Sequence, residues 1–334
     1  MKREETLRYI GNQDQAGGSR HYTLSDGWGR NLRAIDINTG SGLQYTVLPD
    51  RGMDISLARY KGINLVYLTP NGETHPAYYE PENLGWLRTF TGGLLTTCGL
   101  TWLGSPVVDG TEPLGLHGRY STIPARQVAD LSGWTGDEYR IQVEGTVEEA
   151  SLFGNKLQMV RRIHSIQGQN SLRISDTITN FGYAPSPYSI LYHMNLGYPL
   201  LDEDAVIVID PVHTHPKTSL AAGELNDYKK LLKPQDRYQE RVYVHTMRGN
   251  ANGDTSVILQ NKKLGMALSI HFNIRQLPYL IQWKMLGAGE YVLGLEPSNI
   301  PLKNRKELKE ENILPLLQPG ESVTNEVQVV LTDL

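Results

Sequence analysis

From about residue 138 onward the chain alternates apolar and polar side chains with a period of two. Ile141, Val143 and Val147 share one parity in YRIQVEGTVEEA, and Leu172, Ile174 and Ile178 share one in SLRISDTITN. AVIVID, residues 205–210, is short and β-branched. SVILQNKKLGMALSIHF predicts two strands joined by a turn at 261–263, the second with Leu268, Ile270 and Phe272 on its apolar face. Val323, Val327, Val329 and Leu331 alternate with polar residues near the end. Such patterns predict half-buried antiparallel strands, separated by Gly, Pro, Asn and Asp signals. The helical period is scarce. Residues 220–232 are the best candidate for a short helix, and 304–311 for a turn or two. Strands at this density predict an all-β fold of two large sheets packed face to face, or a barrel. No composition shift marks a linker, so one β-sandwich domain over residues 1–334 is expected.

The earlier region carries its own marks. GLQYTVLPDRGMDIS predicts a strand, a Pro-Asp-Arg-Gly turn and a second strand. Arg51 and Asp54 flank Gly52 there. Either they form an ion pair within the hairpin, or the planar fork of Arg51 meets a ligand hydroxyl or phosphate. TFTGGLLTTCGLTWLGSP has no Gly-Lys-Ser/Thr ending and no strand-to-helix context, so it is not a phosphate-binding loop. Its glycines predict close backbone packing or close approach of a ligand. Cys98 within it reads as a small buried filler.

Composition narrows the class. A hydrophobic content of 39% with 20% charged residues is a soluble globular balance. No apolar run reaches the roughly 18 residues of a membrane span, and the N-terminal stretch has no apolar core of a secretory signal, so no membrane partner is expected. A net charge of -4 without a basic cluster argues against nucleic acid. The single cysteine excludes an internal disulfide and fits a reducing cytoplasm. Tyrosine (18) greatly outnumbers phenylalanine (4), and a ring with a polar tip suits a hydroxyl-rich ligand.

Three stretches carry candidate chemistry. In YSILYHMNLGYPLLDED, His193 and Asn195 share a face if the segment is extended. In LGLHGRYS, Gly115, His117 and Arg119 would share one. In YVLGLEPSN, Glu296 sits late in an apolar strand, where a carboxylate is costly to bury alone and so meets a cation or a ligand. Gly294 beside it leaves room above the sheet. In YLIQWKML, Gln282 and Lys284 project from one face and Trp283 from the other. Two imidazoles and a carboxylate suit proton shuttling between oxygens. A metal is not expected: His213 and His215 are the only close ligand pair, and Glu224 does not complete a metal spacing. There is no nucleophile elbow, Cys-Xaa-Xaa-Cys, His-Glu-Xaa-Xaa-His or dinucleotide glycine pattern.

The ordered set GLHGRYS, YHMNLGYPLL and GLEPSN resembles the aldose 1-epimerase (galactose mutarotase-like) superfamily. Members carry a GLHGG-like histidine, then a histidine and asparagine in an HxYFNL-like run, then a late Glu-Pro. LPDRGMDIS, GLLTTCGL and LHGRY look like a less characterised branch, a domain of unknown function. The resemblance runs from about Gly11 to the C-terminus. It implies a β-supersandwich that binds a small carbohydrate without a cofactor and interconverts α and β anomers by ring opening and closure. By position it implies Glu296 as general base for the C1 hydroxyl, His193 as general acid for the ring oxygen, and His117 as the histidine that holds or polarises a sugar oxygen. Asn195, Gln282 and Lys284 would join in binding. The sequence departs from the pattern at Arg119, which replaces a glycine, and at TTCGL, which stands near the usual GRxxNR run. Arg51 and Arg119 would then replace those ring contacts and favour an anionic or phosphorylated sugar. The alternative on the same fold is a non-catalytic carbohydrate-binding or sensing protein. A lyase or hydrolase would want a carboxylate pair or a tyrosine-based site, which these motifs lack. Exposed strand edges leave a homo-oligomer open.

Overall fold

A computed structural model describes residues 3–334, and antiparallel strands dominate it. A nine-stranded sheet is built around Glu138–Ala150, Lys156–Ile166, Ser171–Asn180, Ser322–Asp333, Met266–Asn273 and Asp254–Asn261, adjacent in that order. A seven-stranded sheet runs Pro211–Pro216, Arg241–Met247, Tyr279–Gly287, Glu290–Ser298, Ser189–His193 and Thr96–Leu100, with Asn195–Gly197 also paired to Glu290–Ser298. A five-stranded sheet precedes them and includes Leu43–Leu48 and Asp54–Tyr60. The alternation read from the sequence thus forms sheets, as expected. The helices are short. Residues 220–232 hold only Ser219–Gly223 and a 3-10 turn at Leu225–Asp227, and 304–311 hold Arg305–Glu310, opened by an Asn304/Glu307 capping box.

One apolar core draws on all three sheets, with Val47 and Ile55, Val143 and Ile174, and Ile190, Leu280 and Leu293 among its members. A second cluster lies on the other face of the seven-stranded sheet. Cys98, Leu191, Val244 and Ile281 meet Trp86, Phe90 and Leu103 there, with Ile300 and Leu308 from the segment after Ser298. Period two decides which residue goes where. Ile190 and Tyr192 enter the main core, while Leu191 and His193 face the second cluster.

Two charged residues occupy core positions of the nine-stranded sheet. Arg161 and Asp176 are cross-strand partners, both fully buried. The Arg161 guanidinium donates to both Asp176 oxygens at 2.9 and 2.7 Å, to Asp54 at 3.0 Å and to the Thr97 hydroxyl at 2.8 Å. Asp176 also accepts from the Tyr192 hydroxyl at 2.7 Å. One guanidinium therefore ties the five-, nine- and seven-stranded sheets together. The sequence reading that paired Asp54 with Arg51 in a hairpin is corrected here, since Arg51 bonds the Thr74 and Thr89 carbonyls and the ion pair of Asp54 is with Arg161.

Removing one partner from such a cluster leaves buried carboxylates uncompensated. Arg161→Met is expected to cost about 3–5 kcal/mol of unfolding free energy in a urea titration. A loss below about 1 kcal/mol would mean that the cluster contributes little to the fold.

Candidate active site

Strand register brings the first two groups together. Leu191 pairs with Ser298 and Asn195 with Gly294, so His193, two residues from each, stands opposite Glu296. Cross-strand partners are close enough for side-chain contact. Nδ1 of His193 and Oε1 of Glu296 lie 3.4 Å apart. A Cβ on Gly294 would fall 2.2 Å from that same Oε1 and 3.0 Å from Cβ of Trp283. The room Gly294 leaves is thus occupied by the Glu296 carboxylate leaning over it.

His117 arrives from a loop. The sequence reading made Gly115, His117 and Arg119 a face of an extended segment, but the backbone turns: His117 has φ +58° and Gly118 φ +74°. A non-glycine residue there is uncommon and mildly strained. The turn is stitched to the sheet by the His117 amide donating to the Gly104 carbonyl at 2.8 Å and the Gly99 amide donating to the His117 carbonyl at 3.1 Å. A Cβ on Gly118 would strike the Trp102 and Gly99 carbonyls. The result is an edge-to-face pair of imidazoles, His117 and His193, with centroids 5.7 Å apart.

Aromatic rings surround the pair. Trp86 lies 4.9 Å from His117, and Phe90 and Trp283 each lie 5.4 Å from His193, centroid to centroid. The Trp283 indole N–H donates to Glu240 at 2.7 Å. Sequence reasoning missed Trp86, Phe90 and Glu240. The i,i+4 spacing of the two rings in GWLRTF was the available signal.

The site is dry. His193 is 5% exposed and Glu296 2%. Burial pushes the Glu296 carboxyl well above its usual range, and the Glu240 charge adds to this. Burial holds His117 down to about 4 and His193 to about 3, the latter also opposed by His117. Four buried polar atoms in this small volume have no hydrogen-bond partner: Nδ1 of His117, Nδ1 of His193, Oδ1 of Asn195 and Oε1 of Glu296. Asn195 spends its amide N–H groups on the carbonyls of Gly93 and His193.

The other expected contacts lie elsewhere. Gln282 and Lys284 share parity with Leu280 and Leu286 of the main core, so they point away from His193 while Trp283 points toward it. Gln282 bonds His245 and the Tyr228 carbonyl, and Lys284 bonds the carbonyls of Asp227 and Lys230. Placing them with the sugar is corrected by this alternation. Arg51 is buried, with its guanidinium donating to the carbonyls of Thr74 and Thr89 at 3.2 and 2.8 Å. Arg119 is half exposed, 3.4 Å from the buried Glu149. Among the described residues no group of three or more His, Cys, Asp or Glu is arranged to hold a metal ion, and no helix is long and apolar enough to cross a membrane.

Comparisons with known proteins agree with this architecture. A candidate aldose 1-epimerase from Klebsiella pneumoniae subsp. pneumoniae MGH 78578 superposes with a TM-score of 0.90 at 27% identity, covering 96% of this chain and 86% of that one. A galactose mutarotase-like protein from Clostridium acetobutylicum gives 0.68 at 12% identity, over 96% of this chain and all (100%) of that one. A galactose 1-epimerase from Lactobacillus acidophilus NCFM gives 0.62 at 15%, over 95% and 99%. A comparison with curated proteins finds no match. Residues 29–331 match the family described as a domain of unknown function, DUF4432. The chain belongs to that family, and it has the galactose mutarotase-like fold.

Proposed function

We propose that the protein binds a small neutral carbohydrate at His117, His193 and Glu296 and interconverts its α and β anomers. The observation that carries this reading is the convergence of four unpartnered buried polar atoms beneath aromatic rings. Sugar hydroxyls satisfy such atoms, and the C–H face of a sugar ring packs on aromatic faces. The fold and the name of the Klebsiella relative point the same way. Charge argues for a neutral sugar, because Glu296 and Glu240 are the acidic groups at hand, Arg51 is committed to carbonyls, and Arg119 faces Glu149. This replaces the anionic sugar expected from the two arginines.

The chemistry needs one proton on the Glu296–His193 pair. In the dry site burial favours the uncharged arrangement, with the proton on the carboxyl. Moving it across the 3.4 Å contact makes a carboxylate base and an imidazolium acid at once. The carboxylate takes the C1 hydroxyl proton, the O–H electron pair forms the C1 carbonyl, the bond from C1 to the ring oxygen breaks, and that oxygen takes the imidazolium proton. Rotation about C1–C2 and the reverse transfers give the other anomer and restore the pair. His117, neutral and 5.7 Å from His193 by centroid, is suited to hold a sugar oxygen. The second reading, a carbohydrate sensor without turnover, is favoured by the neutrality of both imidazoles.

Glu296→Gln is expected to lower kcat by about 10²–10⁴-fold with a small change in KM, in polarimetry or exchange NMR on the aldose that most raises Tm. Tight binding with no rate enhancement by the unsubstituted protein would favour the sensor. Stability gives an independent check. The folded state keeps the Glu296 proton above 4.5, where the unfolded chain releases it, so its contribution is whole below that pH and drains as pH rises. Glu296→Gln should therefore gain stability relative to the parent as pH rises above 4.5, read as a growing difference between the two in urea titrations. For His193 the sign reverses: stability is lost as pH falls from 6.5 toward about 3, and His193→Gln should resist that loss. Flat differences across both ranges would contradict the ionisation states used here.

A further inference from the structure

Arg51 is a buried cation whose guanidinium donates to carbonyls rather than to a carboxylate. Burial lowers its pKa to about 10, against the pull of the Asp54 charge. A charge kept in so dry a place without a paired anion is costly, which asks what it holds. Its two acceptors, Thr74 and Thr89, are buried and bracket residues 75–88. Within that span only Gly85 and Trp86 are buried, and the regular structure is two 3-10 turns, Pro76–Tyr78 and Gly85–Arg88. Its inner side lies on the reactive groups. Trp86 packs against His117, the Tyr79 hydroxyl donates to the Gly118 carbonyl at 3.3 Å, and the Leu116 amide donates to the Asn83 carbonyl at 3.0 Å. Phe90, one residue past Thr89, lies against His193. Beneath these contacts His193 and Glu296 are only 5% and 2% exposed.

We propose that residues 75–88 are a cover that opens to admit the ligand, and that Arg51 is the positioning residue holding it closed by tying both its ends. Only the identity of what enters rests on the function proposed above. A guanidinium suits this task because its fixed fork reaches two acceptors at once, which an ammonium does less well. Apart from the buried Trp86, the body holds this mostly exposed segment through the His75 amide on the Trp28 carbonyl, the Tyr78 ring on Trp28, Tyr79 and Asn83 on the His117 turn, and the Leu87 carbonyl on Asn71. Such sparse contact suits a segment that opens below the free energy of global unfolding.

The only cysteine provides a sugar-free reporter. Cys98 is 0% exposed and shares the apolar cluster of Trp86 and Phe90 beneath the cover. Its labelling by methyl methanethiosulfonate is followed by mass spectrometry at increasing sub-denaturing urea. In the parent protein the rate should be nearly independent of urea, as for local opening. Arg51→Met should raise that rate about tenfold or more, the effect of losing charged hydrogen bonds, and Arg51→Lys should give a smaller rise. Leu268→Ala, in the nine-stranded sheet, should lower global stability and leave the urea-independent rate unchanged. If Arg51→Met fails to fold, Arg51→Lys decides alone. An unchanged rate in the Arg51 variants, or parent labelling that climbs with urea at the slope of global unfolding, overturns the proposal. Because no sugar is used, either result stands apart from success or failure of the anomerisation assay.

Discussion

A single buried guanidinium sets the frame. Arg161 stands between Asp176 and Asp54, with the Thr97 hydroxyl as a further acceptor. Each of these ions alone would be expensive in the core, and their mutual attraction is large only because water is excluded. Tyr120 and Tyr192 wall the guanidinium, with ring centroids 5.5 and 5.9 Å from it. The contacts fix more than the stack of sheets. Tyr192 is tethered to Asp176 and paired across the ladder with Thr97, whose own hydroxyl meets Arg161. The strand that carries His193 is thereby held from behind, and alternation turns His193 to the opposite face.

From that strand the site follows by register and by space. His193 and Glu296 meet because their strands pair two residues to either side of them, and the carboxylate fits because residue 294 has no side chain. Dryness then does the electrostatic work. Burial pushes the Glu296 carboxyl up and the His193 imidazole down, so both are driven toward their uncharged forms.

The two buried arginines show how context separates like residues. Arg161 has two carboxylates and stays charged, its pKa held high against burial by Asp176 first. Arg51 bonds only carbonyls and is held down. One locks sheets that have no reason to part. The other joins the ends of a short segment whose rings lie against His117 and His193.

Much was legible in the chain itself. Period-two alternation specified the strands, because a half-buried strand must put apolar groups on one face. Even the buried ion cluster left a trace, since Asp176 occupies the core parity between Ile174 and Ile178. Glu296, His193 and His117 stood out because their chemistry is out of place in apolar or glycine-rich surroundings. What the chain could not reveal depended on which face of each strand met which layer. Gln282 and Lys284 looked like one polar face, yet they share the parity of Leu280 and Leu286 and turn from the site. The φ of His117, the acceptors of Arg51 and the rings of Trp86 and Phe90 around the imidazoles are products of long-range packing. Local pattern determined the elements, because it acts through neighbours in sequence. Only the tertiary structure decided which side chains lost their water together, and that loss sets their charge.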